Sequence, residues 1–202
     1  MSNEIILIKL GGSLITDKSE PFSLRTDILK QNLQEIFKSQ KRVIMIHGGG
    51  SFGHPLARKY ALVGGTDSSV PHQEMGLART HEAMVKLNAH VVKECLEMDE
   101  PVLPLQPSSL FRLESGQAKL ISVEPIEACL NLGLTPILYG DILLDANGNF
   151  SILSGDQIIL SLCYALKRHG VEKVVFLIEK DGIYVKDEAA AHEMTLLEEV
   201  DG

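Results

Sequence analysis

Val43-Ile44-Met45-Ile46-His47-Gly48-Gly49-Gly50-Ser51-Phe52-Gly53-His54-Pro55 is the stretch whose reading decides the fold. Four apolar residues in succession read as a strand buried on both faces, and the glycines that follow break it abruptly. A helix is predicted to begin near His54-Pro55. The same order occurs earlier, where Ile5–Leu10 runs into Gly11-Gly12-Ser13. A buried strand followed by a glycine turn and a helix is the repeating unit of a layered α/β fold.

The rest of the chain continues that alternation. Thr26 offers an N-cap to a helix on which Ile28/Leu29, Leu33 and Ile36/Phe37 recur at helical spacing up to Ser39. Residues 61–71 read as a loop. A long helix is expected over Gln73–Glu97, with Met75, Ala78, Met84, Val85, Leu87 and Val91/Val92 on its apolar side. Val102–Leu105 is a third strand, 111–123 a hairpin, and Pro125–Leu132 a helix opening on proline. Thr135–Tyr139 is a fourth buried strand, broken by Gly140-Asp141. Ile142–Asp145 and Phe150–Leu153 flank Asn147-Gly148, a pair that predicts a type I′ hairpin. Gly155-Asp156 opens a helix reaching His169, and Val174–Ile178 is a fifth strand. The fold class is α/β with a largely parallel sheet.

Composition narrows the function. The 202 residues carry a net charge of −8, unevenly spread: residues 1–60 hold nine Lys/Arg against five Asp/Glu, and the remainder ten against twenty-two. An acidic chain with one basic end is a poor general binder of nucleic acid or membrane surfaces, yet it can hold a small anion at that end. Tryptophan is absent and aromatics are 5%, which removes stacking platforms for single strands. Cys95, Cys129 and Cys163 have no zinc-ligand spacing, so no metal site is expected of them. The first residues form neither a signal peptide nor a membrane span. A cytoplasmic enzyme or small-molecule binder is the expectation.

The glycine stretch carries three chemical patterns at once. Gly48, Gly50 and Gly53 spell GxGxxG, but a dinucleotide fold needs an acidic residue ending the next strand, and Asp67 and Glu74 are poorly placed for that. Gly49-Gly50-Ser51-Phe52-Gly53 spells the GxSxG nucleophile elbow, for which His169 with Asp141 or Asp156 could complete a triad. The third reading is an anion cradle, in which backbone N–H groups at a helix start approach phosphate closely. Two glycine turns after two buried strands favour the cradle over a plain connection. Neither is a Walker A loop, because GK[ST] is missing.

Lysine is uncommon in a buried strand, since a buried ammonium needs a partner. Lys9 at the end of the first strand is therefore expected to meet an anion. Lys18, beside Asp17 and Glu20, is either a second anion contact or an ordinary loop residue. Ser154-Gly155-Asp156 at a helix start is either a simple N-cap or an acidic group that holds Lys9 in position.

Together, Lys9-Leu-Gly-Gly-Ser13, Thr16-Asp17-Lys18, the Gly48–Pro55 stretch, Gln106-Pro107-Ser108, Tyr139-Gly140-Asp141, Ser154-Gly155-Asp156-Gln157 and Asp181-Gly182-Ile183-Tyr184 resemble the isopentenyl phosphate kinases of the amino-acid-kinase superfamily. The motifs keep their order across nearly the whole chain. His54 in Gly-Ser-Phe-Gly-His is the part that separates this group, with fosfomycin kinase, from acetylglutamate, glutamate and UMP kinases.

The resemblance implies an open αβα sandwich, usually a homodimer, that moves the γ-phosphoryl of ATP, carried with Mg²⁺, onto a phosphate monoester. It implies that Lys9 bridges the transferring phosphoryl, Lys18 contacts the nucleotide phosphates, His54 binds the acceptor phosphate and Asp156 orients the lysine. It puts the backbone of Gly11, Gly12, Ser13 and Gly50 toward ATP, and Gly49, Gly53 and Gly155 on the acceptor side. Glu179 and Asp181 fall where adenosine binds, with Glu179 in place of the family's usual aspartate. Met75, Leu77 and Met84 are either core or the wall of a prenyl pocket. Residues 1–202 are expected to be one domain, with 1–170 mainly the acceptor side and phosphate loops. Residues 171–202 would begin the nucleotide-binding part. Because the family continues with a Gly-rich, lysine-containing segment, a C-terminally truncated domain that binds ATP weakly is expected.

Overall fold

Side-chain parity along two strands organises the molecule. In β1 (Ile5–Leu10), Ile8 and Leu10 face one hydrophobic cluster while Ile5 and Leu7 face another. In β2 (Arg42–His47), Val43 and Met45 join the first cluster and Ile44 and Ile46 the second. Successive side chains point to opposite faces, so an unbroken apolar run can only be covered on both sides. This computed structural model describes residues 4–180 and the backbone of two short strands, Tyr184–Lys186 and Met194–Leu196.

β3 (Val102–Pro104), β6 (Thr135–Tyr139) and β9 (Val171–Leu177) complete a five-stranded sheet in the order β3-β6-β2-β1-β9. Every pairing in it is parallel. One face is covered by the helices α2 (Thr26–Lys38), α3 (Gly50–Lys59) and α4 (Gln73–Leu96), through Leu29, Leu33, Phe52, Met84, Leu87 and Val91. The other is covered by α6 (Glu124–Asn131), α7 (Gly155–Ala165) and the hairpin of β4 (Phe111–Glu114) with β5 (Gln117–Leu120). β7 (Asp141–Leu144) and β8 (Phe150–Leu153) form a second hairpin, and two single-turn helices, α1 (Gly12–Ile15) and α5 (Pro107–Leu110), follow β1 and β3. The expected α/β class, an αβα sandwich on a parallel sheet, is observed.

Several local expectations need correction. α3 begins at Gly50, ahead of His54-Pro55, so the proline lies inside the helix. Pro55 removes one intrahelical N–H, and the carbonyl this would orphan, that of Ser51, accepts from Phe22 N–H at 3.2 Å. Thr26 is the first residue of α2 and Arg25 its N-cap; Arg25 N–H is already pinned to the Ile15 carbonyl at 2.8 Å. The turn at Asn147-Gly148 is not type I′, which needs two positive φ angles, because only Gly148 has one (81°). Instead the Asp145 carboxylate accepts from the N–H groups of Asn147 and Asn149 within a longer loop.

On α4, Met75, Ala78 and Val85 are exposed, and the buried face includes Thr80, Asn88 and Glu94. Asn88 meets His47 and Glu94 meets Lys30, so two polar groups on the buried side have partners.

Candidate active site

The C-terminal ends of the parallel strands meet several helix starts, the usual position for ligands in open α/β sheets. Lys9 has the parity of Ile5 and Leu7, which carries it to the face covered by α7. Its Nζ lies 2.6 Å from Asp156 Oδ1 and 5.6 Å from the centroid of the Phe176 ring. The lysine side chain is 15% exposed and the aspartate 63%, so the pair sits at the rim of a cavity. The start of α7 is fixed by a capping box, with Ser154 Oγ accepting from Gln157 N–H and Gln157 Oε1 accepting from Ser154 N–H.

The two glycine turns are fastened to each other. A Cβ on Gly12 would collide with the backbone nitrogen of Gly50, so the turns approach as only glycines can. Gly50 adopts φ 48°, and a side chain there would strike Thr16 Oγ1. Thr16 Oγ1 donates to the Gly12 carbonyl at 2.6 Å and accepts from Ser51 N–H at 2.9 Å. One hydroxyl thus ties the loop after β1 to the start of α3.

A cavity of about 320 Å³ opens between these turns, lined among others by Lys9, Lys18, His54, Thr80, Met84 and Asp156. Gly11, Gly12, Ser13, Gly49, Gly53 and Gly155 also line it. The structure therefore brings together most of the residues singled out in the sequence. Gly50 lines an adjoining groove instead. Glu179 is engaged by Arg25, whose Nη1 lies 2.9 Å from Glu179 Oε1; the hydrogen bond and charge of Arg25 hold this carboxyl below its usual range. Asp181 lies outside the described residues.

His54 projects from the first half of α3 with its ring exposed to the cavity. Partial burial, then the charges of Arg58 and Lys18, depress its basicity below that of ordinary histidine.

Sequence reasoning missed the group that anchors the far wall. Asp141 is fully buried and accepts from His81 Nδ1 at 2.6 Å, from Ile142 N–H at 2.8 Å and from Ser108 N–H at 3.2 Å. It joins α4, α5 and β7 beside the cavity. Read in sequence, Gly140-Asp141 looked like a strand-ending turn or a triad member; its histidine partner is 60 residues away, so spacing carried no signal.

The hydrolase pattern is corrected. Ser51 is buried, its Oγ donating to the Ser23 carbonyl at 3.1 Å and accepting from Ser23 N–H at 3.2 Å. His169 precedes β9 at the N-terminal ends of the strands, the end away from Ser51, where it meets Glu127. Among the described residues Ser51 Oγ meets no general base, and it docks the Phe22-Ser23 segment.

The parallel sandwich gathers two lysines, a histidine and the glycine turns around one cavity, an arrangement that suits an anionic ligand. The amino acid kinase family profile matches residues 4–202, and the chain belongs to that family. It is 30% identical over 190 residues to isopentenyl phosphate kinase of Methanocaldococcus jannaschii, spanning 90% of this chain and 71% of the relative. It is 34% identical to isopentenyl phosphate kinase of Methanothermobacter thermautotrophicus, spanning 91% and 70%. A crystal structure of isopentenyl phosphate kinase superposes with a TM-score of 0.85 at 32% identity, covering 96% of this chain and 81% of that one.

Proposed function

We propose that this protein transfers the γ-phosphoryl group of ATP to isopentenyl phosphate, giving isopentenyl diphosphate and ADP. The observation that carries the reading is the convergence of Lys9, Lys18, His54 and the starts of α3 and α7 on one cavity whose other wall is apolar, formed by Ala57, Met84, Ile152 and Leu153. An anion-binding end joined to an apolar end suits a phosphate monoester with a short hydrocarbon tail. The relatives and the superposed structure, all isopentenyl phosphate kinases, support the same choice.

The chemistry asks little of a general base. An anionic oxygen of the monoester attacks the γ-phosphorus, the bond from that phosphorus to the β–γ bridging oxygen breaks, and ADP leaves with the electron pair. With a dianionic acceptor no proton must be removed. Catalysis is then positioning and charge neutralisation. In this reading Lys9 meets the transferring phosphoryl, with Asp156 positioning its ammonium. His54 donates a hydrogen bond to the acceptor phosphate, and the backbone of Gly49, Gly53 and Gly155 lines that side. Lys18 and the backbone of Gly11, Gly12 and Ser13 face the nucleotide phosphates, while Gly50, expected toward ATP, lines the adjoining groove; Glu179, held by Arg25, and Asp181 belong to the adenosine side.

The cavity's two carboxylates, Asp141 and Asp156, are engaged by His81 and Lys9, so Mg²⁺ would be held mainly by the nucleotide's own phosphates, where it would supply further charge neutralisation.

No helix among the described residues is long and apolar enough to cross a membrane; dependence on ATP fits the cytoplasmic location expected from the sequence. The expected homodimer has a candidate face on α4 and the edge strand β3, where Val85 and Leu96 are exposed along a groove of about 670 Å³ and Leu103 is exposed on β3. Light scattering on the parent and on Leu96→Lys tests it, a dimer that the substitution dissociates being the expected result.

The function is tested by incubating the protein with Mg-ATP and a panel of isopentenyl phosphate, shorter alkyl phosphates and fosfomycin, with products identified by mass. Isopentenyl diphosphate should dominate. Preferential phosphorylation of the phosphonate would replace this reading with its nearest rival.

A further inference from the structure

Two cations beside the acceptor site have no ion pair among the described residues. Lys9 is paired with Asp156, and Arg25 with Glu179, whereas Lys18 and Arg58 face no described carboxylate within salt-bridge distance. Arg58 follows His54 by four residues on α3, which stacks the two on one helix face. Both line a groove of about 510 Å³, together with Lys18, Gly50, Pro55 and Val63. This groove shares Lys18, His54, Ala57 and Ile152 with the acceptor cavity and is continuous with it.

Arg58 is exposed at the groove's edge, so its guanidinium is open to an incoming anion. Its planar fork matches phosphate oxygens in a two-point contact. On the other side of the groove Val63 is 79% exposed, so an apolar tail also finds surface there. We propose that Arg58 is a second phosphate-binding residue of the acceptor site, which captures the dianionic head of the monoester in the outer groove and delivers it to His54. This rests on the acceptor reading given above. Arg58 then sets how readily the acceptor is captured, while His54 and Lys9 govern the transfer step. The influence of Arg58 on the His54 imidazole is consistent with their closeness on α3.

The test uses the full chain with inorganic phosphate as probe, monitored by the imidazole resonance of His54 and by calorimetry at low and high salt. Arg58→Ala should weaken phosphate binding about tenfold and flatten its salt dependence, and Arg58→Lys should recover part of the loss. The His54 titration midpoint should rise in Arg58→Ala. Lys59→Ala, which removes the neighbouring exposed cation stacked on Tyr60, should change none of these. With isopentenyl phosphate as acceptor, KM should rise in Arg58→Ala by a larger factor than kcat falls. Parental phosphate affinity and salt dependence in Arg58→Ala would overturn the proposal, as would absence of phosphate binding by the parent. Because inorganic phosphate has no tail, these outcomes stand whichever monoester the enzyme uses; failure of the acceptor reading appears separately, as phosphate binding without transfer to isopentenyl phosphate.

Discussion

Lys9 Nζ and Asp156 Oδ1 stand 2.6 Å apart although 147 residues separate them in the chain. The end of a central strand and the first turn of a helix on one face of the sheet meet there, and strand parity decides which face the lysine joins. Lys9→Ala should lower turnover by about 10²–10³, the usual loss when one charge stabiliser is removed from a transition state. Asp156→Asn should cost less, roughly tenfold, by loosening the lysine. Because the aspartate is 63% exposed, the pair contributes only about 0–1 kcal/mol to stability. Steady-state kinetics beside thermal melts check this; parental turnover in folded Lys9→Ala would contradict the role.

His54 should take up a proton as the acceptor binds. Partial burial, with Arg58 and Lys18, keeps the ring neutral near pH 7 in the free protein, and a bound dianion reverses that balance. Acceptor affinity should therefore rise on mild acidification, until the phosphate itself protonates near pH ~6. Calorimetry of isopentenyl phosphate binding in buffers of different ionisation enthalpy should show more proton uptake by the parent than by His54→Gln. Equal uptake would remove His54 from the acceptor contact.

Gly53 and Gly12 should respond differently to the same added methyl. A Cβ on Gly53 would lie 2.8 Å from Met84 Sδ, part of a flexible side chain that can swing aside into the cavity. Gly53→Ala should keep its melting temperature within a few degrees while the acceptor KM rises, and adding Met84→Ala should lower KM again. On Gly12 the methyl meets backbone of Gly50 and Gly48, so Gly12→Ala should lose about 1–3 kcal/mol or fail to fold. Thermal melts and acceptor titrations on the parent and these three variants decide it.

Stability should fall on mild acidification because of His47. The ring is fully buried, stacked on Tyr139 at 5.6 Å between centroids, with Nε2 3.2 Å from Asn88 Oδ1. Burial pushes its pKa below 6.5 in the folded state. The unfolded chain then binds more protons below that value, so this contribution is complete above pH ~6.5 and is lost as pH falls toward the folded pKa. Urea midpoints should decrease from pH 7 to pH 5 in the parent. His47→Gln should be weaker at pH 7 with a flatter profile; an equally steep profile would assign the effect elsewhere.

The strands were legible because the sheet is covered on both faces, so β1, β2 and β6 appear as mainly apolar runs, interrupted in β1 by Lys9, with a glycine next in the chain. The glycine turns and Lys9 were legible for a related reason, as a strand that ends in a cation and then glycines limits what can lie beyond it. The start of α3 was hidden because glycine is a poor helix former and Pro55 imitates a first-turn proline. What permits that helix, the Phe22 N–H on the Ser51 carbonyl, comes from a distant loop. The buried face of α4 was misjudged because Asn88 and Glu94 find partners on other elements, and hydrophobic periodicity cannot register a satisfied polar group. His81 with Asp141 escaped for the same reason.

Phosphorus NMR of the protein with Mg-ATP at millimolar concentration and isopentenyl phosphate reads the transfer itself. The monoester resonance should decline as ADP and the paired doublets of a diphosphate ester grow in equal amounts. ATP turning into ADP and inorganic phosphate, with the monoester resonance unchanged, would contradict it.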